Sequence, residues 1–153
     1  MLDSFVKAAQ LNKRIIDSIR SLDFNAKIIS MGDFNDDPVN DSFKKILKAK
    51  GKQRLLDSLG LFNPMEKLYR KGVGSLAYRD KWNLFDQFFT SANLIQKNQG
   101  YFYWRAGVYA PNYLRTSNGK YMGYPFRTYA GTNYQGGYSD HFPIYLLLIK
   151  AQN

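Results

Sequence analysis

The sequence predicts a single α/β domain. Residues 1–22 carry apolar side chains at helical spacing, residues 27–31 form a short apolar run, and residues 144–149 form a longer apolar run without a break. An amphipathic helix followed by short apolar strands that end in polar loops is typical of α/β folds. A length of 153 residues with 44% hydrophobic residues is enough for one core.

The first helix is predicted for residues 1–22. Its charged residues lie mostly on one side, and we expect the other side to be buried. The helix has neither a capping residue nor a preceding element, so we expect that other parts of the domain lie upstream of it. The apolar positions include Phe5, Ala9, Ile15, Ile16, Ile19 and Leu22.

Residues 27–31 predict a buried strand, and polar residues follow it. Because α/β folds place their sites in loops beyond the carboxyl ends of strands, we expect Asp33 and Asn35 in a functional loop. Asp36 and Asp37 stand in a turn before a proline, and for them we expect solvated side chains.

The middle of the chain has weaker patterns. Residues 43–49 predict a short helix, and residues 53–69 predict irregular structure with helical turns. Residues 75–78 and 84–90 predict a pair of strands joined by a charged turn. Asp86 interrupts the second strand, and its carboxylate needs a partner there, because an unpaired buried charge is costly.

The segment 100–138 has an unusual composition, with nine tyrosines, four basic residues and no acidic residue. We interpret it as a long excursion between strands, and such loops are usually functional or pack as lids. Tyrosine with arginine suits base stacking and phosphate contacts, although a tyrosine-rich cover over the sheet explains the composition equally well. Residues 144–149 then predict a last strand that is buried on both faces.

Charge and cysteine content limit the classes of function. The chain has 22 basic and 12 acidic residues, and its net charge of +10 favours a polyanionic partner such as nucleic acid, a phosphorylated substrate or an anionic membrane surface. The absence of cysteine excludes disulfides and thiolate metal sites. No apolar stretch is long enough for a transmembrane segment, and we expect no signal sequence within these residues.

Five polar residues adjoin the predicted strands, where an unpartnered polar group is costly. Carboxylate and amide oxygens with one histidine and no cysteine favour Mg²⁺ or Mn²⁺ over zinc. Such a metal can polarise a phosphate oxygen while an imidazole handles a proton. The five residues are Asp33, Asn35, Asp86, Asp140 and His141, the last of which is the only histidine.

Three segments resemble, in order, the last three motifs of the endonuclease/exonuclease/phosphatase superfamily. They are the quartet at 32–35, the strand at 82–87 and the segment 139–143. This superfamily includes deoxyribonuclease I, apurinic endonucleases, inositol phosphatases and sphingomyelinases. The resemblance spans roughly residues 1–149 and implies the C-terminal half of a deoxyribonuclease I-like α/β/β/α sandwich with mixed or antiparallel sheets. It also implies a Mg²⁺-dependent phosphoesterase site at the sheet ends.

The resemblance implies a role for each candidate residue. Asp33 would orient or activate the nucleophilic water, and Asn35 would assist the phosphate or the metal. Asp140 would be a metal ligand, His141 the catalytic histidine, and Asp86 the group that orients His141.

The sequence also departs from the family pattern. An Asn and a Glu metal ligand and a further catalytic histidine in the first half of such domains have no counterpart here. Glu66, the only glutamate, follows the 32–35 motif and is in the wrong order to be that ligand. We therefore expect residues 1–153 to form one partial domain that lacks its N-terminal half, is weak or inactive alone, and exposes an apolar face. Relatives of this kind are often exported, but the sequence does not indicate a compartment.

The favoured function is a metal-dependent phosphodiesterase, an endonuclease or exonuclease. The alternatives are a phosphatase acting on inositol phosphates or sphingomyelin-type phospholipids, a non-catalytic module that binds nucleic acid or a glycan through residues 100–138, and a truncated product without function. The positive charge and the aromatic segment favour nucleic acid.

Overall fold

The computed structural model of the protein describes residues 2–97 and 100–150. Two α-helices and nine strands lie in these ranges. The helices are α1 (Leu2–Leu22) and α2 (Met65–Tyr69). The strands are β1 (Ile29–Asp33), β2 (Leu61–Phe62), β3 (Leu76–Tyr78), β4 (Lys81–Asn83), β5 (Asp86–Ser91), β6 (Tyr101–Val108), β7 (Tyr129–Ala130), β8 (Asn133–Tyr134) and β9 (Ile144–Lys150). Single helical turns occupy Ser42–Ile46, Gln53–Leu55, Ala92–Leu94 and Asn112–Leu114.

The strands form small antiparallel sheets. The largest has the order β1-β5-β2, and three two-stranded ribbons pair β3 with β4, β6 with β9, and β7 with β8. The α/β class predicted from sequence is therefore confirmed as a mixture of helices and antiparallel sheets. No helix in the described ranges is long and apolar enough to cross a bilayer.

Two apolar clusters hold the elements together. In the first, Ile16 of α1 packs with Phe43 and Phe89, and all three side chains are at most 2% exposed. In the second, Met65 of α2 packs with Leu84, which lies between β4 and β5, and with apolar residues of β5, β6 and β9. Each fully buried side chain of this size stabilises the fold by about 1.5–3 kcal/mol, so these clusters fix β5 between its neighbours.

The α1 helix is confirmed, but its predicted buried face is partly wrong. Ile15 and Leu22 are 52% and 89% exposed, whereas Ile16 is 2% exposed. The helix buries a narrow stripe that includes Arg20, because the Arg20 guanidinium donates hydrogen bonds to two backbone carbonyls that follow the Gln53–Leu55 turn. Arg20, whose guanidinium is hydrogen-bonded to the backbone, is therefore buried on a helix face where hydrophobicity alone predicted only apolar side chains.

The predicted pairing of residues 75–78 with residues 84–90 is wrong. Strand β3 pairs with β4 through a two-residue turn in which Arg79 and Asp80 have φ angles of 49° and 61°. A turn with positive φ at both central residues matches the twist of a tight hairpin. The chain therefore folds back directly after Asp80, and the short partner strand β4 ends at Asn83. Strand β5 belongs instead to the sheet with β1 and β2.

The segment 100–138 is only partly an excursion. Its first residues form β6, which pairs with β9 from Tyr101↔Lys150 to Val108↔Ile144. The prediction that the last strand is buried on both faces is also wrong, since residues 144–148 are half-buried and Ile149 is 39% exposed. Within the described residues β9 has β6 as its one paired neighbour, which leaves part of its surface uncovered.

Candidate functional site

The antiparallel register of β1 and β5 places two carboxylates opposite each other. Asp33 is the last residue of β1 and pairs with Asp86, the first residue of β5. The prediction that the strand ends before Asp33 is therefore wrong by two residues. Because side chains directly opposite on antiparallel strands lie about 4.5–5.5 Å apart at Cβ, the two carboxylates share one end of the sheet.

His141 reaches this sheet end from the loop before β9. Its Nδ1 lies 2.7 Å from Asp86 Oδ2. The next residue anchors the loop: Phe142 is 3% exposed, stacks on Trp82 at 6.1 Å, and donates its backbone N–H to the Ser75 carbonyl at 2.7 Å. A buried aromatic neighbour therefore fixes where the imidazole can lie.

The structure brings together three of the five candidate residues. One potential ligand atom from each of Asp33, Asp86 and His141 lies within 4.8 Å of the others. Asn35 is exposed, has a φ of 49°, and donates its backbone N–H to Asp33 Oδ1 at 2.9 Å. Asp140 is exposed and is not a member of the group of three. Asp140 directly precedes His141 in the chain, so the loop before β9 carries a third carboxylate next to the histidine.

The carboxylates raise the pKa of His141 above its ordinary value of 6.5. The largest cause is the hydrogen bond to Asp86, and burial of the ring acts in the opposite direction. The negative charges of Asp86, Asp140 and Asp33 each raise the pKa further. The arrangement therefore favours an imidazolium whose Nδ1–H donates to Asp86, which leaves the Nε2–H for another acceptor.

Residues without a sequence-predicted role hold the loop after β1 in place. Gln87 is fully buried, and its Nε2 donates to the Asp36 carbonyl at 2.5 Å while its Oε1 accepts from Asn63 at 2.8 Å. Asp37 is 5% exposed and accepts the Leu84 N–H at 2.8 Å. The prediction that this turn is solvated is therefore wrong. The signal available in the sequence was Gln87, a side-chain amide within the apolar run of β5. Because a buried glutamine needs hydrogen-bond partners, its position could have indicated that polar groups of another segment lie nearby.

The side chain of Asp36 is also engaged. It accepts hydrogen bonds from Asn40 and from Ser42, the latter at 2.5 Å. Side-chain hydrogen bonds of both aspartates therefore hold the turn that follows β1. Asp33 lies at the end of β1, directly before this turn.

Exposed aromatic residues surround the histidine loop. Tyr138, three residues before His141, is 65% exposed and meets Tyr113 edge-to-face at 6.2 Å. The Arg115 guanidinium lies 6.0 Å from the Phe142 ring. Aromatic rings and a guanidinium from the segment 100–138 therefore lie beside the loop that carries His141.

The carboxylates fit a hard divalent cation. Asp33 Oδ1 and Asp86 Oδ2 are engaged by Asn35 and His141, but the second oxygen of each carboxylate has no hydrogen-bond partner among the described residues. Mg²⁺ is usually held by one or two carboxylates together with waters and phosphate oxygens. His141 Nδ1 is engaged by Asp86 and the imidazolium carries a proton on Nε2, so the carboxylate oxygens are the ligands that this site offers.

A family model described as the Endonuclease/Exonuclease/phosphatase family matches residues 3–150, which include all three motifs and every residue of the site. No curated protein and no solved structure showed a significant match.

Proposed function

Because the chain belongs to the endonuclease/exonuclease/phosphatase family, a family of phosphoesterases, we propose that it is a Mg²⁺-dependent phosphodiesterase that cuts nucleic acid. The observation that carries the proposal is the 2.7 Å contact between His141 and Asp86 with Asp33 beside it. A histidine held by one carboxylate next to a second carboxylate suits proton transfer during attack of water on a phosphodiester.

Each side chain has a task in this proposal. Asp86 holds Nδ1, so that Nε2–H of the imidazolium faces the phosphate and stabilises the charge that develops there. Asp33 orients the attacking water and accepts its proton as the water oxygen bonds to phosphorus and the ester P–O bond breaks, and Asn35 contacts the phosphate or the metal. The unpartnered oxygens of Asp33 and Asp86, together with Asp140, would hold Mg²⁺, which supplies polarisation of the phosphate oxygens.

The surroundings of the site support nucleic acid over a small phosphate ester. Tyr113 and Tyr138 offer exposed rings on which bases can stack, and such stacking tolerates any base. The net charge of +10 attracts a polyanion over long range. The positive charge would also attract a phosphorylated lipid or an inositol phosphate, but neither has a base to stack on Tyr113 and Tyr138.

We also propose that this chain supplies half of a deoxyribonuclease I-like sandwich, and that its activity alone is weak. Glu66, the only glutamate, is buried in ion pairs with Lys44 and Arg70, so it cannot serve as a ligand at the Asp33 end of the sheet. Apolar side chains on α1 and β1 support a partner layer. They are Leu11, Ile15, Ile19, Ile29 and Met31, each at least 36% exposed.

The test is hydrolysis of a substrate panel by the purified chain, with Mg²⁺ or with a chelator. The panel contains single-stranded and double-stranded DNA, RNA, an inositol phosphate and sphingomyelin. We expect slow, Mg²⁺-dependent cleavage of nucleic acid that His141→Ala and Asp33→Asn abolish. Asp41→Asn is the matched control, because its exposed ion pair with Lys45 contributes little to stability.

The outcomes separate the two proposals. Fast Mg²⁺-dependent cleavage that His141→Ala abolishes would contradict weak activity and support the phosphodiesterase. Preferred hydrolysis of sphingomyelin or the inositol phosphate would replace the nucleic-acid substrate. Binding of nucleic acid without any cleavage, unaffected by chelator and by Asp140→Asn, would favour a non-catalytic module.

A further inference from the structure

A second basic surface lies away from the acidic site. It is an open groove of about 1290 Å³ between the segment 50–55, helix α2 and strand β6. Eight Lys or Arg residues and one acidic residue line it. Phe62, in its wall, pairs with Thr90, four residues along β5 from Asp86, so this part of the groove lies roughly 13 Å along the strand from the carboxylates.

The acidic residue in the groove does not cancel its charge. Glu66 is 7% exposed, and its two carboxylate oxygens lie 2.8 Å from Lys44 Nζ and 2.9 Å from Arg70 Nη2. Gly51 permits this burial, since a Cβ there would lie 2.6 Å from Glu66 Oε2. The carboxylate is therefore satisfied beneath the surface and presents no exposed negative charge to a ligand.

Six basic side chains in the groove form no ion pair with any described residue. All six are exposed, and they come from three separate elements of the chain. Like charges gathered in one groove repel one another, so the arrangement favours a bound polyanion. The six are Lys50, Lys52, Arg54, Lys67, Lys71 and Arg105.

An aromatic side chain completes the groove. Trp104 is 52% exposed, and the Arg105 guanidinium lies 4.5 Å from its ring. The β6–β9 register shifts between Tyr103 and Arg105, so a bulge lets consecutive residues of β6 line the same groove. Phe62 and Tyr103 pack edge-to-face at 5.2 Å beside it. An exposed indole among cations is the combination that binds unpaired bases joined by phosphates.

We propose that this groove binds single-stranded nucleic acid, DNA or RNA, as a site separate from the phosphodiesterase site. The phosphates contact the six cations, and a base stacks on Trp104. The proposal does not depend on hydrolysis, because none of the groove residues belongs to the Asp33, Asp86 and His141 group and no metal is needed for binding.

The test is binding of fluorescent twenty-nucleotide oligo-dT and oligo-U to the full chain in chelator, at several salt concentrations. If all six cations contact phosphates, the slope of log K against log salt reaches about −4. In Lys52→Gln/Arg54→Gln the slope becomes less steep by about 1.4. Trp104→Ala weakens binding about 5-fold or more. Binding of either oligonucleotide with these effects supports the proposal.

The control variant is Arg14→Gln/Lys97→Gln, which removes the same charge from exposed positions outside the groove. It is expected to keep the wild-type slope to within about 0.5. Equal losses in both double variants would overturn the proposal, because net charge alone would then explain binding. Binding to phosphatidylserine vesicles without binding to either oligonucleotide would also overturn it. Hydrolysis that survives the groove variants would leave the phosphodiesterase proposal intact.

Discussion

Replacing Asp86 by asparagine tests the electrostatic core of the site. The variant keeps the side-chain shape but removes the charge that His141 Nδ1 contacts at 2.7 Å. His141 is the only histidine, so one NMR titration curve reports the group without assignment ambiguity. We expect the pKa of His141 to fall in the variant, because the hydrogen bond and the nearest negative charge are lost while burial of the ring remains.

The effect on stability follows from two opposing interactions. A hydrogen bond between charged groups contributes about 1.5–3 kcal/mol, and these side chains are 23% and 18% exposed, so screening is moderate. Asp33 faces Asp86 across the sheet, and removing one of two like charges returns about 0.2–1 kcal/mol. Because the hydrogen bond contributes more than the repulsion, Asp86→Asn is expected to lower the free energy of unfolding by about 1–2 kcal/mol at about pH 5.5, where Asp86 is ionised and His141 is protonated.

The sign of the pH dependence is fixed by the direction of the shift. Because folding raises the pKa of His141, its stabilising contribution is complete below the ordinary value of 6.5 and is lost as the pH rises through the folded value. Urea unfolding of wild type and variant at about pH 5.5 and about pH 9 measures this difference. An unchanged His141 titration curve, or an equal stability difference at both pH values, would show that the Asp86 carboxylate does not control the charge of the imidazole.

Two further variants test the parts that support the site. Glu66→Gln is expected to lower the free energy of unfolding by about 1–2 kcal/mol in urea unfolding, since two partly exposed cations lose a buried partner. Burial raises the pKa of Glu66, but the hydrogen bonds to Lys44 and Arg70 lower it, and the net shift is downward. The stabilisation by ionised Glu66 is therefore lost as the pH falls below 4.5 through the folded pKa. A stability difference between wild type and Glu66→Gln that persists at such low pH would contradict this account. Gln87→Leu leaves the Asp36 carbonyl and the Asn63 Nδ2 group without a hydrogen-bond partner and is expected to cost about 1–3 kcal/mol. It should also change the Asn35 amide signal in NMR spectra, and an unchanged signal would show that Gln87 does not position this loop.

The sequence predicted the elements that have their own local pattern. The helical period gave α1, and the apolar runs gave the strands β1, β5 and β9, each within a few residues of its observed bounds. The family resemblance rested on three short motifs and is confirmed by the match to residues 3–150. Local patterns of this kind depend on neighbours within one turn or one strand, which a single sequence contains.

Pairing and burial were less predictable because they depend on distant residues. Asp33 meets Asp86 only through the register between β1 and β5, and Gln87 reaches Asp36 across 51 positions of the chain. The tight turn at Arg79 and Asp80 pairs β3 with β4 instead of with the predicted strand at 84–90. This turn was hard to predict, because neither of its central residues is glycine. The bulge at Trp104 likewise depends on the β6–β9 register, which composition could not indicate.

The most direct test of the proposed site is whether a divalent cation binds beside His141. Mn²⁺ replaces Mg²⁺ at oxygen sites and broadens the NMR signals of nearby protons, so the imidazole of the only histidine is the probe. We expect that substoichiometric Mn²⁺ broadens the His141 signals, that excess Mg²⁺ restores them, and that Asp33→Asn reduces the effect while Asp41→Asn does not. His141 signals that stay sharp while Mn²⁺ broadens other residues would contradict a metal site at these carboxylates.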